Sequence, residues 1–93
     1  MSEELEQAFQ HAVHQIQNST SRFKPSNALK LDLYGLFKQA TEGDITGKKP
    51  GLLDAVGRAK YSAWASRGGM SSEEAMRAYL EVYDAKIKAH IEG

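Results

Sequence analysis

The sequence predicts an all-α fold, a bundle of four short helices in one domain over residues 1–93. Apolar residues recur at helical spacing along the whole chain, and stretches rich in glycine, proline or serine divide it into four such segments. With 41% hydrophobic and 26% charged residues, 93 residues have the composition of a small globular domain. Four helices in a chain of this length imply a bundle around one core.

The first two predicted helices each carry a single apolar stripe. In the first helix the stripe is Leu5, Phe9, Ala12 and Ile16, with Val13 beside it. In the second helix it is Leu29, Leu33, Leu36 and Ala40. We expect Ser26 or Asn27 to cap the start of the second helix and Gly43 to end it.

The last two predicted helices follow a connection of about eight residues, 44–51, which contains glycine, proline and two lysines. The third is expected from about Leu52 to Ser66, with Val56, Ala59 and Ala63 in register with Leu52. The fourth begins at a capping box, in which Ser71 pairs with Glu74, and continues to about His90.

The formal net charge is zero, but its distribution is uneven. Residues 1–21 carry a net charge of −3, residues 22–67 carry +5 from nine bases and four acids, and residues 68–93 carry −2. A zero total argues against a nucleic-acid binder. Random scatter of solvated charge and a basic functional region in the middle remain equally open from these counts.

Catalytic and metal-binding signals are nearly absent from the sequence. The lack of cysteine excludes disulfides, thiol nucleophiles and thiolate metal sites. No G-x-S-x-G elbow or phosphate-binding glycine loop occurs, and His11 and His14 have no clear third metal ligand nearby. No apolar run could span a bilayer or serve as a secretory signal. We expect a cytoplasmic, non-enzymatic binding protein without metal or cofactor.

The second helix has a second face that a plain bundle does not need. Leu31 and Tyr34 lie away from the main stripe, and Lys30 and Lys38 lie on their side. Tyr34, Phe37 and Lys38 have i, i+3, i+4 spacing, so they can converge on one ligand. The alternative is a solvated, lysine-rich face with scattered apolar residues.

Lys60 raises the same question on the third helix, because it projects among apolar neighbours. The spacing alone favours a lysine whose aliphatic stem packs while its ammonium stays in water. The functional alternative is an ammonium that meets an anion above a partly desolvated pocket.

A long run on the second helix, residues 34–44 with the sequence YGLFKQATEGD, resembles the signature of the acyl-CoA-binding protein family. Further segments match in order: KPS at 24–26, PGLLD at 50–54, AKYSAW at 59–64 and the stretch 71–79. The resemblance covers nearly the whole chain. It implies an up-down-down-up four-helix bundle that binds long-chain fatty acyl-CoA esters, with the acyl chain in an apolar groove and the CoA head over it.

The resemblance also implies the residues that bind the ligand. They are Tyr34, Gly35, Leu36, Phe37, Lys38, Lys60 and Tyr79. On this basis Lys38 and Lys60 neutralise phosphate, the hydroxyls of Tyr34 and Tyr79 donate hydrogen bonds, and Phe37 stacks on adenine where family members commonly have tyrosine. The resemblance thereby favours the functional interpretation of Lys60.

A second set of residues is expected at the groove or its rim. It comprises Phe9, Val13, Arg22, Lys24, Pro25 and Leu31. Gln17 stands where the family often has a base, and the sequence leaves open whether Arg22 or Lys24 takes the place of that base. We expect a monomer whose ligand is a fatty acyl-CoA and whose membrane or enzyme contacts are transient. The alternative function is a protein-interaction or membrane-surface module that uses the aromatic and basic face of the second helix.

Overall fold

The computed structural model describes residues 3–91, and the regular structure within them is entirely helical. The helices are α1 (Glu3–Asn18), α2 (Asn27–Glu42), α3 (Ala55–Ala65), α4 (Ser72–Lys86) and the short α5 (Lys88–Ile91). The predicted all-α bundle is therefore confirmed.

The ends of α2 and α4 follow from local hydrogen bonding. The Ser26 hydroxyl accepts the backbone N–H of Leu29 at 3.1 Å, which satisfies one of the free donors in the first turn of α2. Gly43 ends the helix with a φ of 81°, a conformation that glycine adopts without a Cβ clash. At α4 the Ser71 hydroxyl and the Glu74 side chain bond each other's backbone N–H groups. These three predictions are confirmed.

The apolar core lies between α1, α2 and α4. Its buried hydrophobic residues are Phe9, Ala12, Val13, Leu33, Leu36, Ala40, Ala75, Met76, Tyr79, Tyr83 and Ile87. The predicted stripes of α1 and α2 supply the first six, while Leu5, Ile16 and Leu29 pack around them partly buried. No residue of α3 is fully buried.

Contacts between helix ends give the direction of each helix. The Ser72 hydroxyl donates to Ala40 O, so the start of α4 meets the end of α2 and these helices are antiparallel. The indole of Trp64 donates to Gly43 O at 2.8 Å, which places the end of α3 beside the end of α2. These two helices are therefore parallel.

The order of the bundle is completed by α1, whose last turn lies near the end of α4. Ile16 borders a cavity together with Ile87 and Ile91. With α1 and α4 in one direction and α2 and α3 in the other, the topology is up-down-down-up.

Two helix boundaries differ from the sequence prediction. Leu52 is outside α3, which begins three residues later because the carboxylate of Asp54 accepts the Gly57 N–H at 2.8 Å and caps it there. Leu52 and Val56 were expected on the packed stripe, but they are 84% and 68% exposed. The predicted fourth helix is interrupted at Ile87, whose backbone leaves the helical region while its side chain packs into the core.

A polar cluster ties α2 to the turn before α4. The buried amide of Gln39 donates to Asp44 Oδ1 at 2.8 Å and to Met70 O at 2.9 Å. The same carboxylate oxygen accepts the Gly69 N–H at 2.9 Å. Hydrogen bonds from Gly69 and then from Gln39 lower the pKa of Asp44 below its ordinary value. This cluster fixes both ends of the segment that contains α3.

Candidate functional site

A cavity of about 390 Å³ opens between α1, α2, the end of α4 and the connection before α2. Its apolar wall consists of Val13, Ile16, Pro25, Leu33, Ile87 and Ile91. Its aromatic residues are Phe23, Tyr34, Phe37 and Tyr79, and its polar residues are Gln17, Ser19, Ser21 and Lys30. We call it the central cavity. Its volume and its mixture of aromatic and polar groups are typical of small-molecule sites.

A second cavity of about 310 Å³ lies between the first halves of α2 and α3. We call it the α2–α3 cleft; it is lined by Asn27, Lys30, Leu31, Val56, Ala59 and Lys60. Lys30 borders both cavities. Among the described residues, no carboxylate lines either of them. The two cavities therefore offer apolar surface and positive charge together.

Tyr34 and Lys60 stand where the two cavities meet. Tyr34 lines the central cavity and Lys60 lines the cleft. The Nζ atom of Lys60 lies 5.5 Å from the centroid of the Tyr34 ring, which is within cation–π distance. The parallel arrangement of α2 and α3 brings these residues together across 26 positions of sequence. An anion at this junction would meet an exposed ammonium and a phenol hydroxyl.

Tyr79 closes the inner wall of the central cavity from α4. Its ring meets that of Phe9 edge-on, with 5.0 Å between centroids. Burial raises the pKa of Tyr79 to about 12, because the phenolate would lose its hydration there. Its hydroxyl therefore stays protonated at neutral pH and can donate a hydrogen bond.

Phe37 borders the same cavity from α2 and packs on the core through one ring face. Its ring centroid lies 6.2 Å from that of Phe9, and the two planes are inclined by 25°. Phe9 itself is fully buried and supports both Phe37 and Tyr79 without lining the cavity. The aromatic wall is thus fixed by core packing.

Lys38 is held away from both cavities. Its ammonium forms an ion pair with Glu42 and lies 5.1 Å from the centroid of the Trp64 ring. The hydrogen bond to Glu42 raises the pKa of Lys38 above its ordinary value. To bind a ligand, the Lys38 ammonium must first leave the carboxylate of Glu42.

Several predicted residues lie elsewhere. Gly35 and Leu36 are buried and border neither cavity; a Cβ on Gly35 would lie 2.4 Å from Ala63 O, so this glycine permits close packing of α2 and α3. Leu31 belongs to the cleft. Arg22 and Lys24 are exposed and line neither cavity.

Val13 and Pro25 were expected at the groove or its rim, and both lie in the wall of the central cavity. Lys30 belongs to the second face predicted for α2, although the resemblance did not include it among the binding residues. Its helical position indicates its place at the site, because Lys30 lies one turn before Tyr34 on the same face of α2.

The last helix, α5, borders the central cavity through Ile91, and no separate pattern in the sequence predicts this helix. The ring of His90 stacks on Phe23 with 4.1 Å between centroids and 4° between planes. The Ser21 hydroxyl donates to His90 O at 2.8 Å. These contacts join α5 to the connection between α1 and α2.

Residues 3–91 contain no group of three or more His, Asp or Glu residues placed to hold a metal ion. None of their helices has the length and apolar character needed to cross a bilayer.

Comparison with known proteins identifies relatives over most of the chain. Residues 6–83 match the model of the family described as acyl CoA binding protein. The acyl-CoA-binding protein homolog of Manduca sexta is 40% identical over 84 residues, which cover 89% of this chain and 91% of that protein. Acyl-CoA-binding domain-containing protein 5 of Bos taurus is 47% identical over 78 residues. That match covers 82% of this chain but only 15% of the bovine protein.

Solved structures also resemble this fold. The crystal structure of acyl-CoA-binding protein 2 of Oryza sativa superimposes with a TM-score of 0.82 and 35% sequence identity. The match covers 91% of this chain and 92% of the rice chain. The helical bundle and its order along the chain are therefore shared with a protein of known structure.

Proposed function

The chain belongs to the acyl-CoA-binding protein family, and we propose that it binds long-chain fatty acyl-CoA esters, which it carries and buffers without breaking the thioester. The observation that carries this proposal is the Tyr34–Lys60 pair between an aromatic cavity and an apolar cleft. Acyl-CoA has three matching parts: an aromatic base, phosphates and an apolar chain.

We assign the nucleotide head to the central cavity. Phe37 and Tyr34 would contact the adenine, because flat rings stack well on one another. The protonated hydroxyl of Tyr79 would donate to the ribose or its phosphate. The core fixes Phe37 and Tyr79 in advance, which lowers the entropic cost of binding.

Phosphate would bind at the junction, where Lys60 supplies positive charge and Tyr34 a hydroxyl. Lys38 would contribute after it exchanges Glu42 for phosphate. We expect that exchange to make the contribution of Lys38 smaller than that of Lys60.

We assign the acyl chain to the α2–α3 cleft, whose wall includes Leu31, Val56 and Ala59. Each methylene buried there would contribute about 0.8 kcal/mol. The cleft and the junction would then bind two parts of the same ligand, the acyl chain and the phosphate. Free CoA would lack the contribution of the chain, and a free fatty acid would lack the phosphate contacts.

The other proposed function, a docking module on the aromatic and basic face of α2, has less support. Lys38 and Phe37 are both half-buried, and Lys38 is engaged by Glu42 and Trp64. This face therefore lies partly against α3. That residues 1–93 act as one monomeric acyl-CoA-binding domain in the cytoplasm stays a prediction.

Isothermal titration with palmitoyl-CoA, CoA and palmitate tests the proposal. We expect palmitoyl-CoA to bind far more tightly than either fragment, because only the whole ester occupies both cavities. Equal affinities for palmitoyl-CoA and CoA would contradict the carrier function.

Lys60→Ala tests the assignment of the phosphate. Loss of a charge-assisted contact should weaken palmitoyl-CoA binding by about 1.5–3 kcal/mol. Lys86→Ala, an exposed lysine on α4, is the matched control and should change little. Unchanged affinity in Lys60→Ala and Lys38→Ala would place the phosphates elsewhere.

The affinity of the wild-type protein for palmitoyl-CoA should also fall as ionic strength rises, because salt screens charge pairs at the exposed junction.

A further inference from the structure

The largest exposed apolar side chains among the described residues lie together before and at the start of α3. Leu52 is 84% exposed, Leu53 is fully exposed and Val56 is 68% exposed. We call these three residues the apolar tip. Exposed leucines grouped in one place, rather than scattered singly, indicate a surface that contacts something else.

The apolar tip is held in place by hydrogen bonds. Asp54 N donates to Gly51 O at 3.0 Å, and the Asp54 side chain caps α3 through the Gly57 N–H. The guanidinium of Arg58 donates to Pro50 O at 3.2 Å. The turn therefore presents its leucines outward as a fixed feature.

The segment that contains the apolar tip is rich in positive charge. Residues 45–60 contain four bases (Lys48, Lys49, Arg58 and Lys60) and one acid, Asp54, a net charge of +3 in a chain whose total is zero. Lys48 and Lys49 are exposed and directly precede the turn. The carboxylate of Asp54 accepts the hydrogen bond that caps α3. A partner for this surface should be negatively charged and should accept apolar side chains.

We propose that the apolar tip docks on an anionic lipid bilayer, with Leu52 and Leu53 inserted among the lipids and Lys48 and Lys49 among the headgroups. Lysines next to a membrane surface are attracted to anionic lipids, and inserted leucines gain free energy by leaving water. Because both leucines are almost completely exposed, they protrude from the surface of the protein. A bilayer accepts such a shape without a preformed groove, which a protein partner would have to supply.

The position of the apolar tip gives docking a consequence for the α2–α3 cleft. Val56 belongs to both, so a docked tip brings the cleft to the membrane surface. This consequence rests on the proposed function: an acyl chain in the cleft could then pass between protein and bilayer over a short distance. Docking itself requires no bound acyl-CoA.

Vesicle co-sedimentation tests the docking. Wild-type protein without acyl-CoA should bind vesicles of phosphatidylserine and phosphatidylcholine, and bind pure phosphatidylcholine vesicles much less. Lys48→Gln/Lys49→Gln should weaken binding roughly 20- to 30-fold, at about 1 kcal/mol per lysine. Lys86→Gln/Lys88→Gln removes two exposed lysines at the other end of the chain and should retain binding. Equal losses in the two double variants would overturn the proposal.

The leucines need a separate test. Leu52→Ser/Leu53→Ser should reduce vesicle binding about 100-fold, whereas Leu52→Met/Leu53→Met should keep most of it. Because both side chains are exposed, neither variant should change folding. Wild-type binding by the serine variant would contradict insertion. It would also contradict the proposal if the apolar tip captured a protein while ignoring anionic vesicles.

Site-specific labelling follows the insertion directly, because the chain has no cysteine. A solvent-sensitive dye on Leu53→Cys should shift to the blue with anionic vesicles, whereas the same dye on Glu81→Cys, exposed on α4, should not. Palmitoyl-CoA titration of the serine variant in solution separates the two proposals. If the serine variant keeps its affinity for palmitoyl-CoA but no longer binds vesicles, the result supports docking by the apolar tip. If the wild-type protein binds vesicles but does not bind palmitoyl-CoA, the result refutes only the proposed function.

Discussion

Helices α2 and α4 bury apolar faces in the core, whereas α3 lies beside α2 without a fully buried residue. The core helices are held by side chains such as Leu36 and Tyr79. The contacts that hold α3 on α2 include the close backbone approach at Gly35 and single hydrogen bonds such as that from Trp64 to Gly43. Two cation–π contacts add to them, one from Lys38 to Trp64 and one from Lys60 to Tyr34. The aromatic wall of the central cavity is therefore fixed by the core, whereas α3, which forms one side of the α2–α3 cleft, is held by fewer buried side chains. Helix α2 borders both cavities.

Such an arrangement suits a ligand that completes the packing of α3. The cleft leaves Leu31, Val56 and Ala59 without a full set of protein neighbours, so an acyl chain would supply the missing contacts. The core would keep its shape throughout. Substitutions in the core and substitutions around α3 should therefore differ in their effect on stability.

Phe9→Ala should cause the largest effect, because Phe9 is completely buried and supports Phe37 and Tyr79. Its removal should lower the free energy of unfolding by about 3–5 kcal/mol. Leu53→Ala, which removes a fully exposed side chain beside α3, should change it by no more than about 0.5 kcal/mol. Urea unfolding followed by circular dichroism measures both. Comparable losses would show that the α3 side is packed as tightly as the core.

Gly35→Ala should have an intermediate effect, because the new methyl group would lie 2.4 Å from Ala63 O and push α3 away from α2. We expect a loss of about 1–3 kcal/mol despite the higher helix propensity of alanine. Fluorescence of Trp64, the single tryptophan, should change at the same time. Gly51→Ala is the control, because nothing lies within 4 Å of its added Cβ. A variant as stable as the control would disprove the close contact.

Asp44→Asn should produce the smallest effect, one that depends on pH. Because hydrogen bonds from Gly69 and Gln39 lower the pKa of Asp44 in the folded chain, the unfolded chain takes up this proton first. The stabilisation is complete above the unfolded pKa, near pH 4, and is lost as the pH falls through the lower folded pKa. The variant should lose stability less steeply on acidification. Asp84→Asn, exposed on α4, should behave as wild type, and a D44N profile identical to wild type would contradict the prediction.

The sequence predicted the core helices well because their apolar stripes are also buried. Serine at positions 26 and 71 and glycine at 43 marked the ends through local hydrogen bonding that needs no tertiary contact. The start of α3 was misplaced because Leu52 continues a helical spacing that in fact lies on the surface. Spacing alone does not distinguish an apolar stripe in a core from one left exposed.

The candidate site was predictable where the motif and the helical face agree. Tyr34, Phe37 and Tyr79 all reach the central cavity. Gly35 and Leu36 share the same sequence run but point elsewhere, because successive residues on a helix are 100° apart. The partnering of Lys38 with Glu42 and Trp64 depends on where α3 packs, which the sequence did not determine.

Hydrogen exchange with and without palmitoyl-CoA tests most directly whether the ligand completes the packing between α2 and α3. We expect exchange to slow most in α3 and in the first half of α2, with smaller changes in the α1–α4 core, which is already well packed. No change in α3, or slowing confined to the cavity that Ala8, Ala12 and Leu80 line between α1 and α4, would contradict this account.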